Sequence, residues 1–203
     1  MTTVLGLAGS PRRRGNTALL LDQALAGAAA AGAQVQRVEL ARLHLAPCIA
    51  CDGCRQEGVC VVRDDFQAVF SQLVAADALV LASPIYFLGI TGWAKAFVDR
   101  CQCLWARKYI LRRPLPPTGD GRPRRAIFLS TAGSRRTSFE GARATVRAWL
   151  QTFDAVYQGD VLRRGVDTLG AIREDAQALA LAYELGQALV EYQPGDMITG
   201  KTG

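Results

Sequence analysis

Thr3-Val-Leu-Gly-Leu-Ala8 runs into Gly9-Ser-Pro-Arg-Arg-Arg-Gly-Asn-Thr17 and then into Ala18-Leu-Leu-Leu-Asp22, and this stretch decides the fold. The first six residues read as a buried strand, the Gly/Ser/Arg segment as a tight loop, and Asn16 to Ala31 as an Ala/Leu-rich helix entered directly from that loop. The same alternation recurs along the chain. Gln34 to Leu40 reads as a second strand, more polar and therefore nearer an edge. Asp64-Asp65 can cap a helix running to about Ala75, and Ala78 to Ser83 is a near-continuous apolar strand. Trp93, Phe97 and Cys101 give helical spacing from Thr91 to about Trp105, and Arg112 to Arg124 is a Pro/Gly/Arg loop. A strand at Ala126 to Thr131, a helix from about Phe139 to Phe153, a strand near Ala155 to Val161 and a helix from about Arg173 to Tyr192 complete the chain. Strands alternating with helices imply a parallel sheet covered on both faces, an α/β three-layer sandwich. The commonest five-stranded order, 2-1-3-4-5, places a ligand crevice at the carboxyl ends of strands one and three.

Composition agrees with this and narrows the class. Half of the 203 residues are hydrophobic and 21% are charged, which excludes a disordered tail, a collagen-like repeat or a disulfide-dense miniprotein. A chain of this length removes about 70% of its extended-chain surface from water, so one domain over residues 1–203 is expected. The uncharged run Ala78 to Ala94 is shorter than the ~20 residues of a spanning helix and is interrupted by Ser83, Pro84 and Gly89, so no membrane span is expected. The first ten residues carry no basic leader, and the expected compartment is the cytoplasm. The net charge is +6 and nearly all basic residues are arginine, in groups at Arg12 to Arg14, Arg112-Arg113, Arg122 to Arg125, Arg135-Arg136 and Arg163-Arg164. Arginine suits planar anions, so an acidic cofactor or an acidic protein partner is admissible. Nucleic acid is not expected, because the basic residues are spread over several loops without interleaved aromatics for stacking.

Three loops carry the candidate chemistry at the expected crevice. Ser10, Arg12, Asn16 and Thr17 sit where a loop enters a helix N-terminus, whose free N–H groups and dipole suit a phosphate monoester; the alternative is a plain capped turn. The segment is neither a P-loop nor a dinucleotide fingerprint, since both glycine spacings are absent. Pro84, Ile85, Tyr86, Phe87 and Gly89 follow strand three and can cover a flat heteroaromatic ring, or form an ordinary strand-to-helix turn. Ser130, Thr131 and Gly133 supply a third small, hydroxyl-bearing loop after strand four.

A fourth element lies elsewhere. Cys48-x2-Cys51-x2-Cys54-x5-Cys60 forms a Cys-rich loop at about 47–62, after strand two. In a reducing compartment such clustering favours an iron–sulfur cluster, a zinc site or redox-active thiols over structural disulfides, and the three-residue steps favour the cluster. Cys101 and Cys103 read as small core fillers, and His44 as a surface residue or a neighbour of the Cys loop.

Gly9-Ser-Pro-Arg-x-x-Gly-Asn-Thr17, Pro84-Ile-Tyr-Phe87, Lys95-x3-Asp99-Arg100, the Gly165-Val166-Asp167-x2-Gly170-x-Ile172 stretch and the compact cysteine motif together resemble the iron–sulfur flavoproteins, within the wider family of flavodoxin-like NAD(P)H-dependent FMN reductases. The resemblance implies a flavodoxin-like fold and noncovalent FMN. Its phosphate would lie on Ser10, Arg12, Asn16 and Thr17, and its isoalloxazine between residues 84–89 and 130–133. It further implies a 4Fe-4S cluster on Cys48, Cys51, Cys54 and Cys60, and a homodimer or homotetramer that brings the cluster of one subunit near the flavin of another. The expected function is electron transfer from ferredoxin or NAD(P)H to a small acceptor such as oxygen, peroxide or a quinone. No catalytic side chain is expected, since flavin chemistry needs no Ser/His/Asp triad and none is legible. The alternative is an NAD(P)H-dependent FMN or quinone reductase without a cluster.

Overall fold

The computed structural model describes residues 1–192. Five strands, β1 (Thr3–Ala8), β2 (Gln34–Glu39), β3 (Ala78–Ala82), β4 (Arg125–Ala132) and β5 (Val156–Arg164), form one parallel sheet in the order β2-β1-β3-β4-β5. This is the expected flavodoxin-like order, with the polar strand β2 at an edge.

Alternation within the strands divides the core between the two faces. Leu5 and Leu7 of β1 with Leu79 and Leu81 of β3 point to one side. There they meet α3 (Phe66–Ala75), α4 (Gly92–Arg100) and α6 (Glu140–Gln151) through Phe66, Phe97 and Trp149. Val4, Ala8, Ala78, Val80 and Ala82 point to the other, against α1 (Asn16–Ala30) and α7 (Ala176–Glu191). Every residue of the central strands β3 and β4 is buried, which is why β3 reads as a near-continuous apolar run. Helices α1 and α7 approach so closely that a Cβ on Gly27 would lie 2.0 Å from Tyr183 O and one on Gly186 would lie 1.9 Å from Ala24 O. Only glycine permits that contact between the two backbones. Among the described residues no helix is long and apolar enough to cross a membrane.

Three boundaries differ from the sequence-based expectation. The helix expected from Thr91 to Trp105 is interrupted: α4 ends at Arg100, Cys101 N–H is shared between the Phe97 and Val98 carbonyls, and a short α5 (Gln102–Trp105) continues as a π-turn over Ala106–Ile110. The last helix starts at Ala176 rather than near Arg173. A 3₁₀ turn occupies Ala171–Glu174, and the Asp175 carboxylate caps α7 through Ala178 N–H at 2.8 Å. A four-residue helix, α2 (Cys54–Glu57), lies inside the Cys-rich loop, where none was expected. The acidic pair before α3 does cap it, through Asp64: its Oδ1 accepts from Phe66 N–H at 2.9 Å while Gln67 Oε1 accepts from Asp64 N–H at 3.1 Å, a reciprocal capping box.

Candidate functional site

At the carboxyl end of the sheet the loops are tied together from below. Gly9 N–H donates to Ala82 O at 2.7 Å, and Thr91 Oγ1 donates to Gly9 O at 2.6 Å. Thr91 N–H donates to Ser83 Oγ at 3.0 Å, while Ser130 Oγ donates to Ser83 O at 2.7 Å. These buried bonds join the ends of β1, β3 and β4 into one floor. Above it lies a cavity of about 130 Å³ lined by Ser10, Arg12, Gly15, Asn16, Thr17, Pro84, Ile85, Tyr86, Thr131, Gly133, Val166 and Asp167. The three loops singled out in the sequence therefore converge.

The loop before α1 has the chemistry of an anion cradle. Gly15 provides no side-chain cap, and the first turn contains no acidic residue, so the N–H groups of residues 16–18 have no partner within the helix. Ser10 Oγ shapes the approach by accepting from Arg12 N–H at 3.1 Å, and Arg12 O accepts from Gly15 N–H at 2.9 Å.

Individual residues divide into those that reach the cavity and those that support it. Ser10, Arg12, Asn16, Thr17, Pro84, Ile85, Tyr86, Thr131 and Gly133 line it; Phe87, Gly89 and Ser130 do not. Ser130 is fully buried in the floor. Tyr86 and Gly89 exchange backbone hydrogen bonds of 3.0 Å, which turns the intervening Phe87 and Leu88 outward with φ of +50° and +65°. Phe87 is fully exposed at the tip of this turn. Asn16 lines the wall, but its amide is engaged elsewhere: Nδ2 donates to Thr168 O at 3.0 Å and to Val166 O at 3.4 Å, and Oδ1 accepts from Ile172 N–H at 3.2 Å. Val166 and Asp167, which no spacing argument picked out as site residues, enter because β5 runs on to Arg164 and delivers them to the same end of the sheet. Asp167 packs so tightly on Gly133 that a Cβ there would lie 2.8 Å from its Oδ1. Their position just after a strand in an α/β sheet was the available signal.

On the α3/α4 face, Cys48, Cys51, Cys54 and Cys60 all line one cavity of about 160 Å³, together with Arg55, Arg100, Gln102 and Trp105. Ala50, between Cys48 and Cys51, and Asp52, between Cys51 and Cys54, have φ of +51° and +57°, a left-handed backbone conformation that non-glycine residues seldom adopt. Cys48 and Cys51 are exposed, and Cys54 and Cys60 are partly covered. Burial raises the Cys54 thiol above its ordinary pKa, an effect to which Cys60, Cys48 and Cys51 add by charge repulsion. Among the described residues no three His, Cys, Asp or Glu side chains are close enough to hold a single metal ion.

The segment is anchored at both ends. Asp64 Oδ2 accepts from Ala46 N–H at 2.9 Å, Asp65 Oδ2 accepts from His44 N–H at 2.8 Å, and Gln67 Nε2 donates to Val62 O at 2.6 Å and Cys60 O at 3.3 Å. Arg100, noted in the sequence only as part of Asp99-Arg100, sits beneath the loop with its Nε 3.1 Å from Cys60 Sγ. His44 is a surface residue, as expected, and Cys101 and Cys103 are buried core fillers.

The flavodoxin-like strand order puts a ligand crevice at this switch point, the place where flavodoxin holds FMN. Residues 2–163 match the NADPH-dependent FMN reductase family, and the chain belongs to that family. An iron–sulfur flavoprotein of Methanosarcina thermophila is 26% identical over 93% of each chain. Another, from Methanocaldococcus jannaschii, is 40% identical, but that match spans 50% of this chain and 52% of the other, about half the length of each. Among solved structures, an NAD(P)H:quinone oxidoreductase from Methanothermobacter marburgensis superposes with a TM-score of 0.66 at 18% identity, covering 93% of this chain and 98% of that one.

Proposed function

We propose that this chain is a single-domain, cytoplasmic FMN- and 4Fe-4S-dependent electron-transfer flavoprotein that takes electrons from ferredoxin or NAD(P)H and passes them to oxygen, peroxide or a quinone. The observation that carries this reading is the presence of two cavities with no lining residue in common, one at the switch point of the sheet and one to which all four clustered cysteines contribute lining. FMN supplies one- and two-electron chemistry, and the cluster supplies one-electron chemistry.

The residues present fit both groups. Ser10, Arg12, Thr17 and the N–H groups of residues 16–18 would hold the phosphate, and Asn16 would act mainly by holding the 166–172 segment against it. Pro84, Ile85, Tyr86, Thr131 and Gly133 would flank the ring, while Phe87, Gly89 and Ser130 would shape the loops that present them. Cys48, Cys51, Cys54 and Cys60 would be the four cluster ligands. All four line one cavity, as a cluster held by four thiolates requires, and their three-residue steps suit such a cluster better than the two separated pairs common in structural zinc sites. Because the two cavities are separate within one chain, a homodimer or homotetramer that brings one subunit's cysteine loop to another's flavin completes the electron path.

The test is an anaerobic visible spectrum paired with flavin, iron and sulfide analysis of the same sample, repeated on Cys51→Ser. Flavin with about four irons per chain, and loss of iron but not of flavin in the variant, is the expected result. Flavin with no iron after anaerobic reconstitution would instead establish an NAD(P)H-dependent FMN or quinone reductase without a cluster, a reading to which the exposure of Cys48 and Cys51 lends some weight.

A further inference from the structure

Arg100 is 1% exposed and is among the largest fully buried side chains in the protein. A buried guanidinium is tolerated only when its charge is compensated and its five N–H donors are satisfied. Both conditions are met, and the partners chosen are informative. Nη1 donates to Asp64 Oδ2 at 2.7 Å and Ala46 O at 2.9 Å, and Nη2 donates to Val62 O at 2.8 Å and Asp64 Oδ1 at 3.2 Å. The fifth donor, Nε–H, points at Cys60 Sγ, 3.1 Å away. Ala46 and Val62 bracket the cysteine segment, so one side chain clasps both ends of the loop and touches one of its sulfurs. Phe66 closes the other side, with its ring centroid 4.5 Å from the guanidinium carbon.

This arrangement makes the four cysteines unequal. Among the described residues Cys60 is the one of the four whose sulfur accepts a side-chain hydrogen bond, and the donor is a fixed cation in a region shielded from water. A charged donor on a thiolate sulfur withdraws electron density from whatever that sulfur ligates and favours its more negative oxidation state. The carboxylate of Asp64 offsets part of this field, because it forms a salt bridge with the same guanidinium.

We propose that Arg100 is a positioning residue that fixes the Cys60 sulfur and raises the reduction potential of the group bound by the four cysteines, with Asp64 as the counterweight that limits the shift. The proposal rests on the reading of those cysteines as a cluster site and adds to it which sulfur is tuned and by what.

The experiment compares wild type, Arg100→Lys and Asp64→Asn after anaerobic reconstitution with iron and sulfide, reading iron content per chain and the midpoint of a dithionite titration followed by electron paramagnetic resonance. Arg100→Lys keeps a cation beside Asp64 but loses the planar donor to Cys60, so its midpoint falls. Asp64→Asn leaves the guanidinium uncompensated, so its midpoint rises. Shifts of opposite sign are the expected result, since a purely structural role would disturb the loop in both variants without that pattern. Where Arg100→Lys fails to fold, a raised midpoint in Asp64→Asn supports the proposal and an unchanged or lowered one overturns it. Unmoved midpoints in both loaded variants, with a loaded wild type, overturn the role of Arg100 alone. A wild type that takes up no cluster overturns the cluster reading and this proposal together.

Discussion

Asn16 allows a quantitative distinction between two ways of serving the proposed flavin site. Its amide spans about 150 residues of sequence to hold the segment after β5, through good hydrogen bonds of 3.0 Å and 3.2 Å and a longer one of 3.4 Å. At roughly 0.5–1.5 kcal/mol net for each good bond, Asn16→Ala should cost about 1–3 kcal/mol. For a chain of this size about 2 kcal/mol corresponds to a thermal midpoint lower by roughly 4–8 °C. The same loss frees Val166 and Asp167, which line the cavity together with Tyr86 and Thr131, so the site loosens as a whole. FMN and riboflavin should therefore both bind Asn16→Ala more weakly, by a similar factor of about ten, or about 1.4 kcal/mol. Asn16→Asp retains the acceptor for Ile172 N–H but turns a carboxylate oxygen toward the carbonyls of Thr168 and Val166 and adds negative charge at the cradle. It should discriminate further against FMN and not against riboflavin. Fluorescence titration with both flavins, alongside thermal melts, measures each quantity. An Asn16→Ala protein with an unchanged melting point, or one that loses FMN affinity while binding riboflavin normally, would refute the bracing argument and make the amide a direct phosphate ligand.

Other outcomes follow from single features of the fold. Gly186→Ala forces a Cβ to 1.9 Å from Ala24 O, so α7 must move off α1, and urea unfolding should register a loss at or above the ~1–3 kcal/mol of ordinary overpacking. Asp120 is paired with the buried Arg125 at 2.7 Å; burial raises its carboxyl but the guanidinium prevails and holds it at about 2. Its stabilisation, about 2 kcal/mol, is complete above the unfolded value near 4 and is lost as pH falls through 2, so the stability gap between wild type and Asp120→Asn should close across that acid window. Burial pushes the Cys103 thiol up to about 12, so iodoacetamide at pH 8 on the cofactor-free native protein should label Cys48 and Cys51 and spare Cys101 and Cys103, as read by mass spectrometry. Phe87→Asn should leave the melting point unchanged or slightly higher, because the side chain packs on nothing and asparagine tolerates its φ of +50° better.

Much of this was legible in order along the chain. The alternation of Leu5, Leu7, Leu79 and Leu81 with residues facing the opposite side, the Gly9–Thr17 loop and the cysteine spacing are patterns among neighbours, and neighbours set strand period, loop entry and motif. The sheet order and the position of the crevice followed from them, because right-handed crossovers leave few alternatives. The interruption after Arg100 was not legible, since the shared Cys101 N–H bond competes with a sound local helical signal, whereas the start of α7 was marked locally by Asp175, a preferred N-cap residue.

What the sequence by itself determined is the architecture, the end of the sheet where a cofactor can sit and the chemical character of the cysteine loop, all properties of short segments. Tertiary structure alone decided that the Asn16 amide faces β5's exit, that Phe87 points to solvent, that Val166 and Asp167 complete the wall, and that Arg100 reaches back 40 residues to Cys60. Those outcomes depend on strand register and on buried donors that must find acceptors wherever packing places them, and no local pattern encodes which distant group that will be.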